Sequence, residues 1–271
     1  MIKVAVCGAA GRMGREVVAA IAAADGMEVV AAIDHHQIGE DAGTVAGISA
    51  LSVLIENDLE AAIGRTLPQV LVDFTLPASV MANVELAIAF GISPVIGTTG
   101  LSRENLHKLD KQARMKEIGA FVAPNFAIGA VLMMQFAAQA AKYLPDVEII
   151  ELHHEKKLDS PSGTALLTAQ KIAHARTEAG ASPRPLPTEG LIEKAAHARG
   201  AREDVTGDVP IHSVRLPGFV AHQEVIFGGT DEVLTLRHDS MHRRSFMPGV
   251  VLAVRKVRQL NGLVIGLENL L

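Results

Sequence analysis

Residues 151–164 read Glu-Leu-His-His-Glu-Lys-Lys-Leu-Asp-Ser-Pro-Ser-Gly-Thr. Two adjacent imidazoles, His153 and His154, are followed by Lys157 and then by the run Ser162-Gly163-Thr164. Imidazole exchanges protons near neutral pH, and a lysine can act as an acid when burial or neighbouring cations lower its proton affinity. Ser162 is a helix-capping residue type, and the backbone N–H groups of the turn behind it receive a carboxylate well. Lys157 adds a full positive charge. One short segment thus has the parts to bind an anion and move a proton. Plainer readings stay open beside this one: a solvated strand end, a charged face at Glu155-Lys156-Lys157, or metal ligation. No third His, Cys or acid stands at a recognised zinc spacing, so no metal is expected.

A second cluster opens the chain. Gly8, Gly11 and Gly14 give G-x-x-G-x-x-G within Gly8-Ala9-Ala10-Gly11-Arg12-Met13-Gly14, with Ala10 where the common dinucleotide fingerprint has its middle glycine. A small residue there still lets the backbone approach a pyrophosphate, and the helix that follows adds roughly half a positive charge at its start. Asp34, about 20 residues further on at the end of the next apolar run, is placed to accept hydrogen bonds from an adenosine ribose. Taken alone, a glycine turn signals only tight strand–helix packing. The order of strand, turn, helix, strand and terminal acid makes dinucleotide binding the expectation. An ionised Asp34 repels the extra phosphate of NADPH, whereas Arg12, His35 and His36 attract it. The expected cofactor is NADH and/or NADPH, with NADH used at least as well.

These groups need elements to hold them. Ile2 to Cys7 is a β-rich run, and Met13, Val17, Ile21 and Ala24 recur at helical spacing up to Gly26. Val29 to Ile33 forms the next strand, and 39–57 reads as loop. Val70 to Phe74 is a strand, followed by a helix with Pro77 in its first turn and an apolar stripe of Val80, Val84 and Ile88. Val95-Ile96 leads into Gly97-Thr98-Thr99-Gly100, Ser102 caps a helix to about Glu117, and Ala120 to Ala123 is a strand before Pro124-Asn125-Phe126. Strands that alternate with helices and end in small or polar residues fit an α/β, Rossmann-like doubly wound parallel sheet with a ligand crevice at the strands' carboxyl ends.

Beyond Gly129 the pattern changes. A long helix to Tyr143, a strand from Val147 to His153 and a helix from Thr164 to Ala179 precede an extended loop at 183–187. Strands then dominate, at Ile211–Arg215, Val220–Phe227 and Val233–His238, with turns at Pro217-Gly218 and Gly228-Gly229. A central α+β domain with a mixed or antiparallel sheet is expected. The tail, 247–260 and 263–271, is apolar and partly helical, able to pack back on the first domain.

Composition bounds the rest. The 271 residues suffice for two modest cores, and 49% apolar with 20% charged residues is ordinary for a globular chain. A net charge of −5 argues against a sequence-independent grip on nucleic acid or an anionic membrane. The single cysteine, Cys7, reads as a small core residue of the first strand. No basic leader or membrane-length apolar run is apparent, so a cytoplasmic protein is expected.

Together these residues carry a family resemblance. Gly8 to Gly14, Asp73-Phe74-Thr75, Gly97 to Gly100, Pro124-Asn125-Phe126, His-His-x-x-Lys at 153–157 and Pro161-Ser162-Gly163-Thr164 make the chain similar, nearly end to end, to the 4-hydroxy-tetrahydrodipicolinate (dihydrodipicolinate) reductases of lysine and diaminopimelate synthesis. The resemblance implies a nicotinamide-binding domain from residues 1–126 and 237–271. It also implies a central domain, 127–236, that binds a small dicarboxylate and builds a homotetramer. It assigns cofactor contacts to Gly8, Ala9, Ala10, Gly11, Arg12, Met13, Asp34, Gly97, Thr98, Thr99, Ala123, Pro124, Asn125 and Phe126, with His35 standing where the family often has Arg. His154, Lys157, Gly163 and Thr164 would hold the substrate's carboxylates beside the Ser162 helix start, and His153 and Lys157 would handle protons. The rivals are another oxidoreductase on the same plan, a non-catalytic nucleotide sensor, and a metal-dependent hydrolase.

Overall fold

The first strand, β1 (Ile2–Cys7), is buried on both faces from Val4 to Cys7, as an interior strand of a helix-covered parallel sheet must be. In a computed structural model, which describes residues 1–182, the backbone of 204–206, and 209–271, this strand lies inside a seven-stranded parallel sheet. Its partners are β2 (Met27–Ile33), β3 (Ile55–Glu56), β4 (Val70–Asp73), β5 (Ser93–Ile96), β6 (Gly119–Val122) and β12 (Gly262–Ile265), in the order β12-β6-β5-β4-β1-β2-β3. Cys7 is a buried free thiol whose proton affinity is raised by burial and by the nearby Asp73 and Asp34 carboxylates.

Helices α1 (Arg12–Ala23), α2 (Ala42–Val45), α3 (Leu59–Thr66), α4 (Pro77–Ala89) and α5 (Arg103–Met115) connect these strands. α1 turns Gly14, Val17, Val18 and Ile21 inward, the stripe its spacing predicts. Ser102 caps α5 by accepting from the Asn105 N–H at 3.1 Å. The stretch expected as loop at 39–57 contains α2 and β3. Asp41 organises it, accepting from the N–H groups of Thr44, Leu51 and Val53 at 3.0–3.2 Å. α3 was not expected; Asp58 caps it through the Ala61 N–H at 2.9 Å.

The second sheet is mixed and five-stranded, in the order β11-β10-β7-β9-β8, from β7 (Asp146–His153), β8 (Asp204–Thr206), β9 (Val209–Arg215), β10 (Ala221–Gly229) and β11 (Glu232–Ser240). β7 runs parallel to β9 and antiparallel to β10. One face is covered by α6 (Ile128–Ala140) and α7 (Gly163–Ala179): Ile149, Ile211, Val225 and Phe227 pack with Met133, Ala137, Ala165, Ala169 and Ile172. Burying a side chain of this size contributes roughly 1.5–3 kcal/mol. The extended loop expected at 183–187 lies outside the described residues, and β8 precedes the first strand expected in this region.

After β11 the chain forms α8 (Met247–Lys256) and then β12, a strand where only an apolar tail was foreseen. β12 adds in parallel to β6, pairing Gly262 with Gly119 and Ile265 with Val122. The chain divides into unit 1, Met1–Ile128 with Arg243–Leu271, and unit 2, Gly129–His242. The return to unit 1 follows His242 rather than Leu236, because β11 runs on through Leu236 to Ser240. No helix among the described residues is long and apolar enough to cross a membrane.

Candidate functional site

In unit 1 the strand order reverses between β1 and β4, where an open α/β sheet leaves a crevice at its carboxyl edge. The turn after β1 is shaped by glycine: Gly8 has φ +80°, and a Cβ on Gly14 would stand 1.9 Å from the Gly8 carbonyl oxygen. Most N–H groups of this turn are used by the fold. Those of Gly8 and Ala9 donate to the Ile33 carbonyl, that of Gly11 to the Gly8 carbonyl and that of Ala10 to Asp34 Oδ2. Arg12 and Met13 open α1, which has no side-chain cap at Gly11 and no acid in its first turn. This positive helix end therefore suits an anion.

Asp34 accepts from the Ala10 N–H at 2.9 Å and from the His36 N–H at 3.0 Å, with His36 Nδ1 3.3 Å away. Partial burial pushes its pKa up, but the hydrogen bonds from His36, Ala10 and His35 outweigh that and hold the carboxyl below its ordinary value. The acid is thus held ionised and tied to the glycine turn at the end of β2. His35 is exposed beside it. Arg15, which sequence reasoning passed over, braces the same corner by donating to the Ala10 carbonyl and to Gln37 Oε1, both at 2.8 Å.

Farther along the edge, Gly97 lies against Phe74, whose ring a Cβ would strike at 2.1 Å. The Thr98 hydroxyl is turned inward, donating to Asp73 Oδ1 at 2.9 Å, and Thr99 is exposed. Asp73 is fully buried and also accepts from the Thr75 N–H and hydroxyl and from Asn83 Nδ2. It fixes two loops of the crevice. Ala123 and Phe126 are buried, Pro124 is exposed, and the Asn125 side chain accepts from the Ala127 N–H at 2.8 Å. Phe126 packs on Phe74 and Phe121 with ring centroids 5.7 and 5.9 Å away. A glycine cradle that any Cβ would fill, an uncapped helix start and an ionised acid at the end of β2 fit a dinucleotide.

The acid/base segment belongs to unit 2. His153 ends β7, with side chains alternating so that Ile149, Glu151 and His153 share the helix-covered face. Glu151 is fully buried and hydrogen-bonded to His153 Nδ1. Arg215, opposite His153 on β9, grips that carboxylate with two bonds of 2.7 and 2.9 Å. The Ser162 N–H donates to the same carboxylate at 3.2 Å. Burial opposes ionisation of Glu151, but the hydrogen bonds from His153, Arg215 and Ser213 prevail and hold its pKa at about 2.

Ser162 caps α7 by accepting from the Ala165 N–H at 3.2 Å, and its side chain is buried. The helix end it creates begins at Gly163, which is exposed and where an added Cβ would meet nothing within 4 Å. Thr164 and His154 are partly exposed nearby in sequence. Lys157 Nζ is paired with both oxygens of Asp159 at 2.7 Å, a salt link that an incoming carboxylate must compete with. Asp159 is correspondingly acidic; partial burial raises its pKa, and the stronger combined effect of Lys157 and Arg215 lowers it. Among the described residues no cluster of three or more His, Cys, Asp or Glu side chains could hold a metal ion. Glu151, Arg215, Arg15 and Asp73 are the residues that sequence reasoning missed as parts of the site. For Glu151 a signal existed: it lies two residues before His153 on a strand, hence on the same face.

The chain is similar to known proteins over its whole length. The family profile described as dihydrodipicolinate reductase, N-terminus, matches residues 2–126, and that described as dihydrodipicolinate reductase, C-terminus, matches 129–271. A 4-hydroxy-tetrahydrodipicolinate reductase of Moorella thermoacetica is 51% identical over 270 residues, covering 100% of this chain and 98% of that protein. The Geobacillus kaustophilus protein of the same name is 52% identical, with 100% and 99% covered. A solved dipicolinate-bound dihydrodipicolinate reductase from Paenisporosarcina sp. TG-14 superposes with a TM-score of 0.85 at 45% identity, covering 100% of both chains. With both halves matched in order over the whole length, the chain belongs to the dihydrodipicolinate reductase family.

Proposed function

We propose that the protein reduces 4-hydroxy-tetrahydrodipicolinate to tetrahydrodipicolinate in lysine and diaminopimelate biosynthesis, with reduced nicotinamide as the electron source. In that reaction the ring eliminates water, its hydroxyl leaving with a proton from the adjacent carbon, and the double bond so formed gains a hydride at the carbon that carried the hydroxyl and a proton back at the adjacent carbon. A bound NADH or NADPH supplies the hydride. The chain's own residues do the rest. The start of α7 at Gly163 and Thr164, with His154 and Lys157, holds the ring's carboxylates, and His153 donates the proton with Lys157 beside it. In unit 1, Arg12 and Met13 at the start of α1 receive the pyrophosphate and Asp34 the ribose. The 97–99 and 123–126 turns contact the cofactor as well.

The observation that carries this reading is the joining, through Glu151, of an imidazole to a capped helix start with open space at Gly163. An ionised Asp34, which among the described residues is bonded to N–H groups and His36 and to no Lys or Arg, supports NADH being used at least as well as NADPH. The sheet face turned away from α6 and α7 carries Ile150, Leu152 and Ile226 among the charged Glu148, Glu224 and Arg237, with Val233 on β11 71% exposed; this mixed face supports a homotetramer. The reduced, buried Cys7 supports a cytoplasmic setting.

The test is to follow NADH and NADPH absorbance while supplying the freshly made condensation product of pyruvate and aspartate semialdehyde. Oxidation that depends on that product, with kcat/KM for NADH equal to or above that for NADPH, is expected. No product-dependent oxidation overturns the activity, and a large NADPH preference overturns the cofactor reading alone.

A further inference from the structure

Glu151 is a fully buried carboxylate for which the reduction itself has no use. Its bonds, however, reach His153, Arg215 and the start of α7. Oε2 meets His153 Nδ1 and Arg215 Nη1, and Oε1 meets Arg215 Nη2 and the N–H of Ser162. Arg215 Nη2 also donates to the Asp159 carbonyl at 2.7 Å, in the loop that carries Lys157. The strand register puts these groups together, because Ser213 and Arg215 of β9 lie opposite Glu151 and His153 of β7. We propose that Glu151, clamped by Arg215, is a positioning residue. It fixes the His153 ring with Nδ1 toward the carboxylate and Nε2 toward the substrate, and through Ser162 it sets that ring's spacing from the helix start that holds a substrate carboxylate.

The assignment rests on His153 being the proton donor. A histidine at a strand end turns easily about its Cβ–Cγ bond, and each half-turn exchanges the ring nitrogen it presents. A charged acceptor bound to Nδ1 in a dry setting removes that freedom and selects the tautomer. The bidentate guanidinium keeps the carboxylate ionised and stops it from taking the proton itself. Of the charged groups in this cluster, Glu151 is bonded to the ring, Arg215 on β9 to Glu151, and Asp159, paired with Lys157, presents its carbonyl to Arg215. On the other side β10 presents Gln223, whose amide donates to Thr168 of α7, and β11 presents His238, opposite Gln223. Burial lowers the proton affinity of His238, Asp239 opposes that shift, and His222 adds to it. Glu151 is thus the anion bonded to the ring.

Two measurements test this. In the wild-type protein, nitrogen NMR of selectively labelled histidine is expected to show His153 protonated at Nδ1 across neutral pH; a neutral ring protonated at Nε2 alone overturns the proposal without any variant. In steady-state kinetics, Glu151→Gln is expected to lower kcat about 10- to 100-fold. KM should change little. In a His153→Ala background the same substitution is expected to cost nothing further. An equal loss in both backgrounds makes Glu151 a purely structural residue and overturns the proposal. Undiminished kcat in His153→Ala alone instead strikes the reading of His153 as donor, so the two failures are distinguishable.

Discussion

A methyl group added at Gly163 meets nothing in the folded chain, although this residue begins the helix whose N–H groups are assigned to the substrate. Room that the fold leaves unused is room for a ligand. Gly163→Ala is therefore expected to leave Tm nearly unchanged and to raise KM for the dicarboxylate by roughly 10-fold or more, since about 1.4 kcal/mol is a factor of ten. Equilibrium binding of dipicolinate checks this, and an unchanged affinity would count against the helix start as the carboxylate site. The contrast with Ser162 is informative. Its N–H and hydroxyl are both taken by the fold, so it contributes by making the helix end rather than by standing open to a ligand. Sequence exposes a residue's chemistry; only the packed chain shows which of its atoms are already spoken for.

Among the elements, the β1 turn and α1 show how closely a phosphate cradle is tied to packing. A Cβ at Gly14 would overlap the Gly8 carbonyl at 1.9 Å and the backbone of Ala9 at 2.9 Å. Neither obstacle is a flexible side chain. Gly14→Ala is expected to lower stability by about 1–3 kcal/mol, the cost of overpacking, and to weaken NADH binding more than dipicolinate binding. Calorimetry with each ligand separates the two effects. This element was legible because strand, glycine turn and amphipathic helix differ in period and composition. β12 was not. Leu263-Val264-Ile265 is short, continuously apolar and bracketed by glycines, a pattern shared by a strand and a helix end, and only its pairing with β6 decides. α3 was overlooked although Asp58 capping Leu59, Ala62 and Ile63 is a readable start, because Gly64 interrupts the stripe. Glu151 and Arg215 are far apart in the chain and meet only through the register of β7 with β9, which no single segment encodes.

For the molecule as a whole, ionised carboxylates link stability to acidity. Glu151 has a folded pKa of about 2 against an ordinary 4.5, so its contribution is complete above pH 5 and is lost as pH falls from there toward 2. A shift of that size is worth about 3 kcal/mol. Asp34, Asp159 and Asp239 are shifted in the same direction and add to the slope. Denaturant unfolding at pH 6, 4 and 3 is expected to show wild-type stability falling more steeply than that of Glu151→Gln over this window. Parallel slopes would mean that the carboxylate is not held ionised as its partners imply.

Unit 1 is assembled from two stretches of chain separated by all of unit 2. β6 pairs with β12, and Gly119 admits no Cβ because the Val257 carbonyl would lie 2.0 Å from it. A ribosome that has released only the first 128 residues has therefore made a nucleotide-binding layer with one flank of β6 bare, and the strand that covers it is threaded last. The nascent protein must keep that flank from pairing with a neighbour throughout synthesis of the central segment, so the order of translation makes the cofactor-binding half begin before the central unit and finish after it.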